Sequence, residues 1–169
     1  PPNASTALKK LVETAQIKSL DDRRPKIYFI GRTCNATVHN LLIRDLLVKI
    51  YASGFEIKSV KFNETLSEIN PDLAVEFVGE DGTPLPVFFE LDRGTEGVAE
   101  LVKKADRYNQ ISQTNRVCFV FEKESDMQLA RTRIDYPFVY FTVLDTFTSL
   151  HDEAFYASGA AATLTTFFR

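Results

Sequence analysis

Apolar positions along this chain alternate between a helical and a strand period, and the switches between the two mark its elements. Ala7, Leu8, Leu11, Val12 and Ala15 recur at helical spacing and predict a short helix over residues 7–15. Residues 17–20 and 26–30 read as two short strands joined by the turn Asp21-Asp22-Arg23-Arg24-Pro25. A longer helix is expected over residues 36–52, where Val38, Leu41, Leu42, Leu46 and Ile50 make a broad apolar face. Gly54 ends it. Residues 55–62 then alternate as a strand with one break in register, and residues 73–78 form a second. The turn Gly79-Glu80-Asp81-Gly82-Thr83-Pro84 leads into a third over residues 87–92, so the last two are expected to pair as an antiparallel hairpin.

Gly94 breaks that strand, Thr95 can cap, and a helix is expected to run to about Ser112. Val117-Cys118-Phe119-Val120-Phe121 is a continuous apolar run, as a strand buried on both faces requires. A helix over 124–133 and a strand over 138–144 follow. The tail after Ser149 has no single pattern, although residues 162–168 suit an edge strand. Helix, three strands, helix, strand, helix, strand is an α/β order, with a mixed central sheet flanked by helices. A buried run reached through a helical crossover implies at least one parallel pair. No internal repeat or low-complexity linker interrupts the chain.

The 169 residues suit one domain, or one domain plus a fragment, and 44% hydrophobic residues suffice for a real core. Cys34 and Cys118 are the two cysteines; their spacing gives neither a zinc site nor a disulfide framework, so a reduced, cytoplasmic setting is expected. Asn35-Ala36-Thr37 and Asn63-Glu64-Thr65 match a glycosylation pattern that has no meaning without secretion. The chain opens Pro-Pro-Asn with no basic, apolar leader and no apolar run of membrane-spanning length, so neither a signal peptide nor a membrane partner is expected. A start without methionine suggests a processed chain or an excised fragment.

A net charge of -3 argues against a generally basic nucleic-acid coat. Its distribution changes that picture. Lys9, Lys10, Lys18, Arg23, Arg24, Lys26 and Arg32 against Glu13, Asp21 and Asp22 leave residues 1–33 at +4 and the remainder at -7. Such asymmetry suits DNA contact through Lys9, Lys10, Arg23, Arg24 and Lys26. A solvated surface hairpin explains the same residues.

Candidate chemistry sits further on. Asp72 follows Pro71 at the head of a strand. Glu90 and Asp92, two apart, leave one face of the next strand. Lys104 and Tyr108, four apart, share one face of the following helix. Carboxylates beside a cation can hold a divalent metal, the minimum equipment for cutting a phosphodiester.

The stretch from His39 to Tyr108 resembles the replication-relaxation proteins of plasmids and mobile elements, within the PD-(D/E)xK restriction-endonuclease-like superfamily. The matching residues are His39-Asn40-Leu41-Leu42-Ile43-Arg44-Asp45, Pro71-Asp72, Phe89-Glu90-Leu91-Asp92-Arg93-Gly94-Thr95-Glu96, and Lys104 with Tyr108. The Glu-x-Asp-Arg-Gly-Thr-Glu run is the most specific of them. The resemblance implies the end of a winged-helix DNA-binding segment at 1–33 and a restriction-endonuclease-like domain at 34–169. It implies a metal-dependent endonuclease or nickase with Asp72, Glu90, Asp92 and Lys104 as catalytic residues. Asp72, Glu90 and Asp92 would ligate Mg²⁺, or Mn²⁺, which would activate a water. His39, Arg93 and Tyr108 would be accessory. DNA is the expected partner, with a homodimer or other replication proteins beside it. One departure stands out: Asp92 occupies the usual lysine position, and Lys104 on the helix is the matching cation.

Each residue also has a plainer explanation. Asp72 can cap a turn, Glu90 and Asp92 can form a structural ion network with Arg93 or Lys104, and Lys103 and Lys104 can be surface lysines. A lone histidine such as His39 is commonly structural. The competing function is therefore a DNA-binding accessory or regulator that keeps the nuclease fold without its activity.

Overall fold

The computed structural model describes residues 38–63, 65, 69–79, 81–111 and 116–147, and the strand backbone at 18–20, 27–29, 155–157 and 160–162. Contacts divide the chain into two compact units, Pro1–Leu41 and Leu42–Arg169.

In the first unit, β1 (Lys18–Leu20) and β2 (Ile27–Phe29) pair antiparallel, Lys18 opposite Phe29 and Leu20 opposite Ile27. The two strands lie where the sequence places them. The helix expected over residues 7–15, the turn 21–25, and with them Lys9, Lys10, Arg23, Arg24 and Lys26 lie outside the described residues.

The unit boundary falls within α1 (Val38–Ala52). The second unit then runs β3 (Ile57–Phe62), β4 (Leu73–Val78), β5 (Pro84–Asp92), α2 (Val98–Ile111), β6 (Arg116–Phe121), α3 (Glu124–Arg131) and β7 (Val139–Val143). Two short strands, β8 (Phe155–Ala157) and β9 (Ala160–Ala162), extend the sheet. Strand order is β3-β4-β5-β6-β7-β8-β9. β3, β4 and β5 are antiparallel neighbours, whereas β5–β6 and β6–β7 are parallel. The α/β class, the mixed sheet, the β4–β5 hairpin and the parallel pairing all follow the sequence expectation. At the tail the edge strand is β9; residues 163–168 lie outside the described residues.

Strand alternation sorts the core into two layers. Leu73, Val75 and Phe77 of β4, Phe89 and Leu91 of β5, and Cys118 and Val120 of β6 meet Ile43, Leu46 and Ile50 of α1. On the opposite face Phe88, Val117, Phe119, Phe121 and Phe141 meet Leu101, Ala105 and Tyr108 of α2 and Met127 and Ala130 of α3. β6 is buried on both faces from Val117 to Phe121, as its unbroken apolar run requires. Burial drives the Cys118 thiol above its ordinary value, which leaves it a small core hydrophobe. Lys49 of α1 donates to the Leu144 carbonyl at 2.8 Å, tying the helix to the end of β7.

Of the boundaries that differ from expectation, two have a clear physical reason. β5 starts at Pro84 rather than at 87, and its pairing with β6 begins only at Val87. Pro84 and Pro86 thus occupy an overhang paired with β4 alone, where a missing N–H is tolerated. α2 starts at Val98, so Thr95 does not cap it; the Gly97 carbonyl accepts from the N–H groups of Glu100 and Leu101 instead.

Thr142 lies on β7 between Tyr140 and Leu144 of the α1-side layer. It is fully buried, and its Oγ1 has no hydrogen-bond partner among the described residues. A buried hydroxyl without a partner costs free energy that an apolar group of the same shape does not. Thr142→Val is expected to raise unfolding free energy by about 1 kcal/mol. Urea denaturation followed by circular dichroism measures this, and a loss of stability would show that the hydroxyl is satisfied.

Candidate functional site

The site is built on β5, an inner strand with β4 on one side and β6 on the other. Antiparallel register sets Leu73 opposite Phe89, and one further step sets Asp72 opposite Glu90. Asp72 has the parity of Ala74, and Glu90 that of Phe88, so both acids face the α2 layer. Asp72 stands just before β4, and its Oδ2 accepts from the Leu91 N–H at 2.9 Å. This bond fixes the strand head against β5 where the backbone ladder ends.

Glu90 lies in the middle of the sheet, only 4% exposed, with Phe88 before it and Phe119 opposite it on β6. A carboxylate in that setting needs partners, and α2 supplies two. Tyr108, itself buried, donates its hydroxyl to Glu90 Oε1 at 2.6 Å. Lys104 Nζ lies 3.2 Å from Glu90 Oε2. The two are one helical turn apart, and Leu101 and Ala105 on the same face seat the helix against the sheet. Tyr108 is further held by stacking on Phe88, with ring centroids 6.0 Å apart.

Burial pushes the Glu90 carboxyl above its ordinary value. The Lys104 charge and the Tyr108 hydrogen bond oppose that rise, and the Asp72 charge adds to it. Burial alone would lower the Lys104 pKa, but Glu90 and Glu96 more than offset it and hold the ammonium above the usual lysine value. Burial, then the Glu90 charge, pushes the Tyr108 phenol up, so it stays a hydrogen-bond donor.

Asp92 leaves the same face of β5 and is also 4% exposed, but its partners are different. Its Oδ1 accepts from the Gly94 N–H at 3.0 Å, and the Glu96 N–H also bonds its carboxylate. Burial raises its pKa, these N–H groups lower it, and the Glu96 and Asp126 charges raise it again. Asp92 therefore organises the loop between β5 and α2 and delays the helix to Val98. Gly94 takes φ +72° there, which favours glycine, and a Cβ on it would also push on the Asp126 carboxylate, 2.8 Å away. The loop, Asp92, Asp126 and Leu129 border a cavity of about 180 Å³.

Asp72, Glu90, Lys104 and Tyr108 thus come together, with Asp92 beside them on the strand but turned to the loop. Arg93 pairs with Glu122, Nε to Oε2 at 3.4 Å. His39 is in the first turn of α1, within the other unit. Sequence reasoning missed the part played by Glu96: its Oε1 lies 2.8 Å from Lys104 Nζ, closer than Glu90 does. The pair spans a loop and a helix and so has no helical spacing, although Glu96 closes the Glu-x-Asp-Arg-Gly-Thr-Glu run.

Among the described residues no three His, Cys, Asp or Glu side chains gather as metal ligands. The expected trio of Asp72, Glu90 and Asp92 is not assembled, because the Asp92 carboxylate is taken up by loop backbone. Asp72 and Glu90 remain as a facing pair of hard oxygen donors. That donor set fits Mg²⁺, which commonly takes one or two carboxylates and fills its shell with water and substrate oxygens.

The class defined by these features is an α/β protein with an acid pair and a lysine gathered on one face of a mixed sheet. The family profile described as replication-relaxation matches residues 4–120, more than half of the chain, and covers all of these side chains. The chain belongs to the replication-relaxation family. Membership points to a role in replication or relaxation of plasmids or mobile elements, which fits interaction with DNA. No curated protein and no solved structure matches the chain. No helix among the described residues is long and apolar enough to cross a membrane.

The pairing of Lys104 with Glu90 has a pH signature. Folded Glu90 keeps its proton to a higher pH than the ordinary 4.5, so its ionisation costs stability as pH rises through the folded value. Lys104 offsets that cost only where Glu90 is ionised. Lys104→Met is therefore expected to destabilise by about 1–3 kcal/mol near pH 8 and by clearly less near pH 4. Chemical denaturation at the two pH values measures it; an equal loss at both would mean that the lysine acts by packing alone.

Proposed function

We propose that this chain is a metal-dependent DNA endonuclease or nickase domain acting in plasmid or mobile-element replication, on a restriction-endonuclease-like core. The observation that carries the reading is the buried Glu90, set across the strands from Asp72 with the Lys104 ammonium on its free side. Two facing acids repel, as the upward push of Asp72 on Glu90 reflects, and a cation relieves that repulsion. The element order supports the same core: helix, three antiparallel strands, helix, then a parallel strand.

Asp72 and Glu90 would hold Mg²⁺ or Mn²⁺, which when bound lowers the pKa of a water and stabilises charge on a phosphoryl group. The chain's own contributions are distinct. Lys104, about one-third exposed, offers its ammonium to a phosphate oxygen. Tyr108 holds one oxygen of Glu90 and so directs the other toward Lys104. Asp92 shapes the loop that borders them. The basic segment Lys9, Lys10, Arg23, Arg24 and Lys26 supplies phosphate contacts along the duplex, in the manner of a winged-helix end.

A second reading rests on the same geometry. Both Glu90 oxygens are hydrogen-bonded, as a purely structural ion network would have them. On that reading the chain is a DNA-binding accessory or regulator that has kept the fold without the reaction.

Incubation with supercoiled plasmid, with and without Mn²⁺, separates the two. Wild type is expected to nick or linearise the DNA only with the metal. Asp72→Asn and Glu90→Gln, which keep shape but remove charge, are expected to lower the rate by about 100-fold or more, and Lys104→Met by roughly 10- to 100-fold. Binding of plasmid without cleavage by wild type under every metal condition would establish the accessory reading.

A further inference from the structure

Lys104 has two carboxylate partners of opposite character. Glu90 is buried in the sheet, its other oxygen is held by Tyr108, and it has no room to leave. Glu96 sits at the water-facing end of the loop between β5 and α2, with 37% of its side chain exposed, and it makes the shorter contact, 2.8 Å against 3.2 Å. The Lys104 side chain is itself 32% exposed. Its more exposed anionic partner is therefore a loop carboxylate supplied by the chain itself.

We infer that Glu96 stands where a DNA phosphate binds Lys104, and that it is displaced when the phosphate arrives. The chemistry is an exchange of like for like: a carboxylate oxygen and a phosphodiester oxygen accept the same charge-assisted hydrogen bond. The loop suits such an exchange. Glu96 lies between Gly94, at φ +72°, and Gly97, around which a Cβ would meet nothing within 4 Å. Asp92 anchors this loop through the N–H groups of Gly94 and Glu96, so the carboxylate of Glu96 can turn away without unfolding the turn. The exposed contact is also the weaker one to break, because a surface ion pair contributes little in water. In the resting chain Glu96 screens Lys104 from other anions, and DNA must outcompete it.

The inference rests on Lys104 as a phosphate contact, and the test separates the two claims. Affinity of the full chain for a short fluorescent duplex is measured in EDTA, without metal or cleavage. Glu96→Gln is expected to tighten binding by about threefold, the scale of one exposed ion pair. Glu100→Gln is the control: it removes the same charge four residues on, in the first turn of α2, from a carboxylate that pairs with Lys103 at 2.6 Å. Its gain should be clearly smaller. In a Lys104→Met background the gain from Glu96→Gln should disappear.

A gain no larger than that of Glu100→Gln, or one that persists without Lys104, would overturn the exchange. If Lys104→Met weakens binding while Glu96→Gln does nothing, the phosphate contact stands and only the exchange fails. If Lys104→Met leaves affinity unchanged, the phosphate role of Lys104 fails and the exchange fails with it. The comparison of Glu96→Gln with Glu100→Gln stays decisive even where the Lys104 variant does not fold.

Discussion

A carboxylate in the middle of a sheet is the constraint around which this unit is arranged. Glu90 lies on a strand with neighbours on both sides, facing Phe88 and Phe119, where an unpaired charge would cost several kcal/mol by general estimates. The chain meets that cost with one helix. Leu101, Ala105 and Tyr108 seat α2 on the apolar layer, and the same face carries Lys104 to the acid. Packing and charge satisfaction thus use the same contact. An apolar residue at 90 would serve stability as well or better, so stability alone does not account for an acid there, whereas the proposed cation site does.

The second acid of the strand settles the loop rather than the centre. Asp92 takes the N–H groups of Gly94 and Glu96, so the chain leaves β5 in a turn before α2 begins at Val98. That turn brings Glu96 back over Lys104. The run from Glu90 to Glu96 therefore contains a buried acid, the acid that shapes the turn, the glycine that permits it and the anion that returns to the lysine. Its specificity as a motif follows from these separate physical demands on neighbouring positions.

Much of this architecture was legible in the sequence. The five-residue apolar run at β6 announced a strand covered on both faces, and Gly82 marked the β4–β5 turn, where it takes φ +78°. The spacing of Glu90 and Asp92, and of Lys104 and Tyr108, placed each pair on one face. What was not legible depends on contacts without a period. The start of α2 is set by Asp92 accepting from the N–H groups of Gly94 and Glu96, a local Asx-type contact that hydrophobic periodicity does not carry. The extension of β5 through Pro84 and Pro86 depends on β4 reaching further along it than the start of β6. Lys104 meeting Glu96 depends on the path of a loop. A shared strand face suggested three ligands around one ion; only the hydrogen bonds of Asp92 separate it from Asp72 and Glu90.

Asp72 and Glu90 are proposed to form one hard cation site beside Lys104. Crystals soaked in Mn²⁺ and measured at the manganese absorption edge test it without relying on cleavage. The account predicts an anomalous peak between the two carboxylates, absent from crystals of Glu90→Gln. Manganese bound only elsewhere, with Lys104 and Tyr108 still closing both oxygens of Glu90, would contradict it.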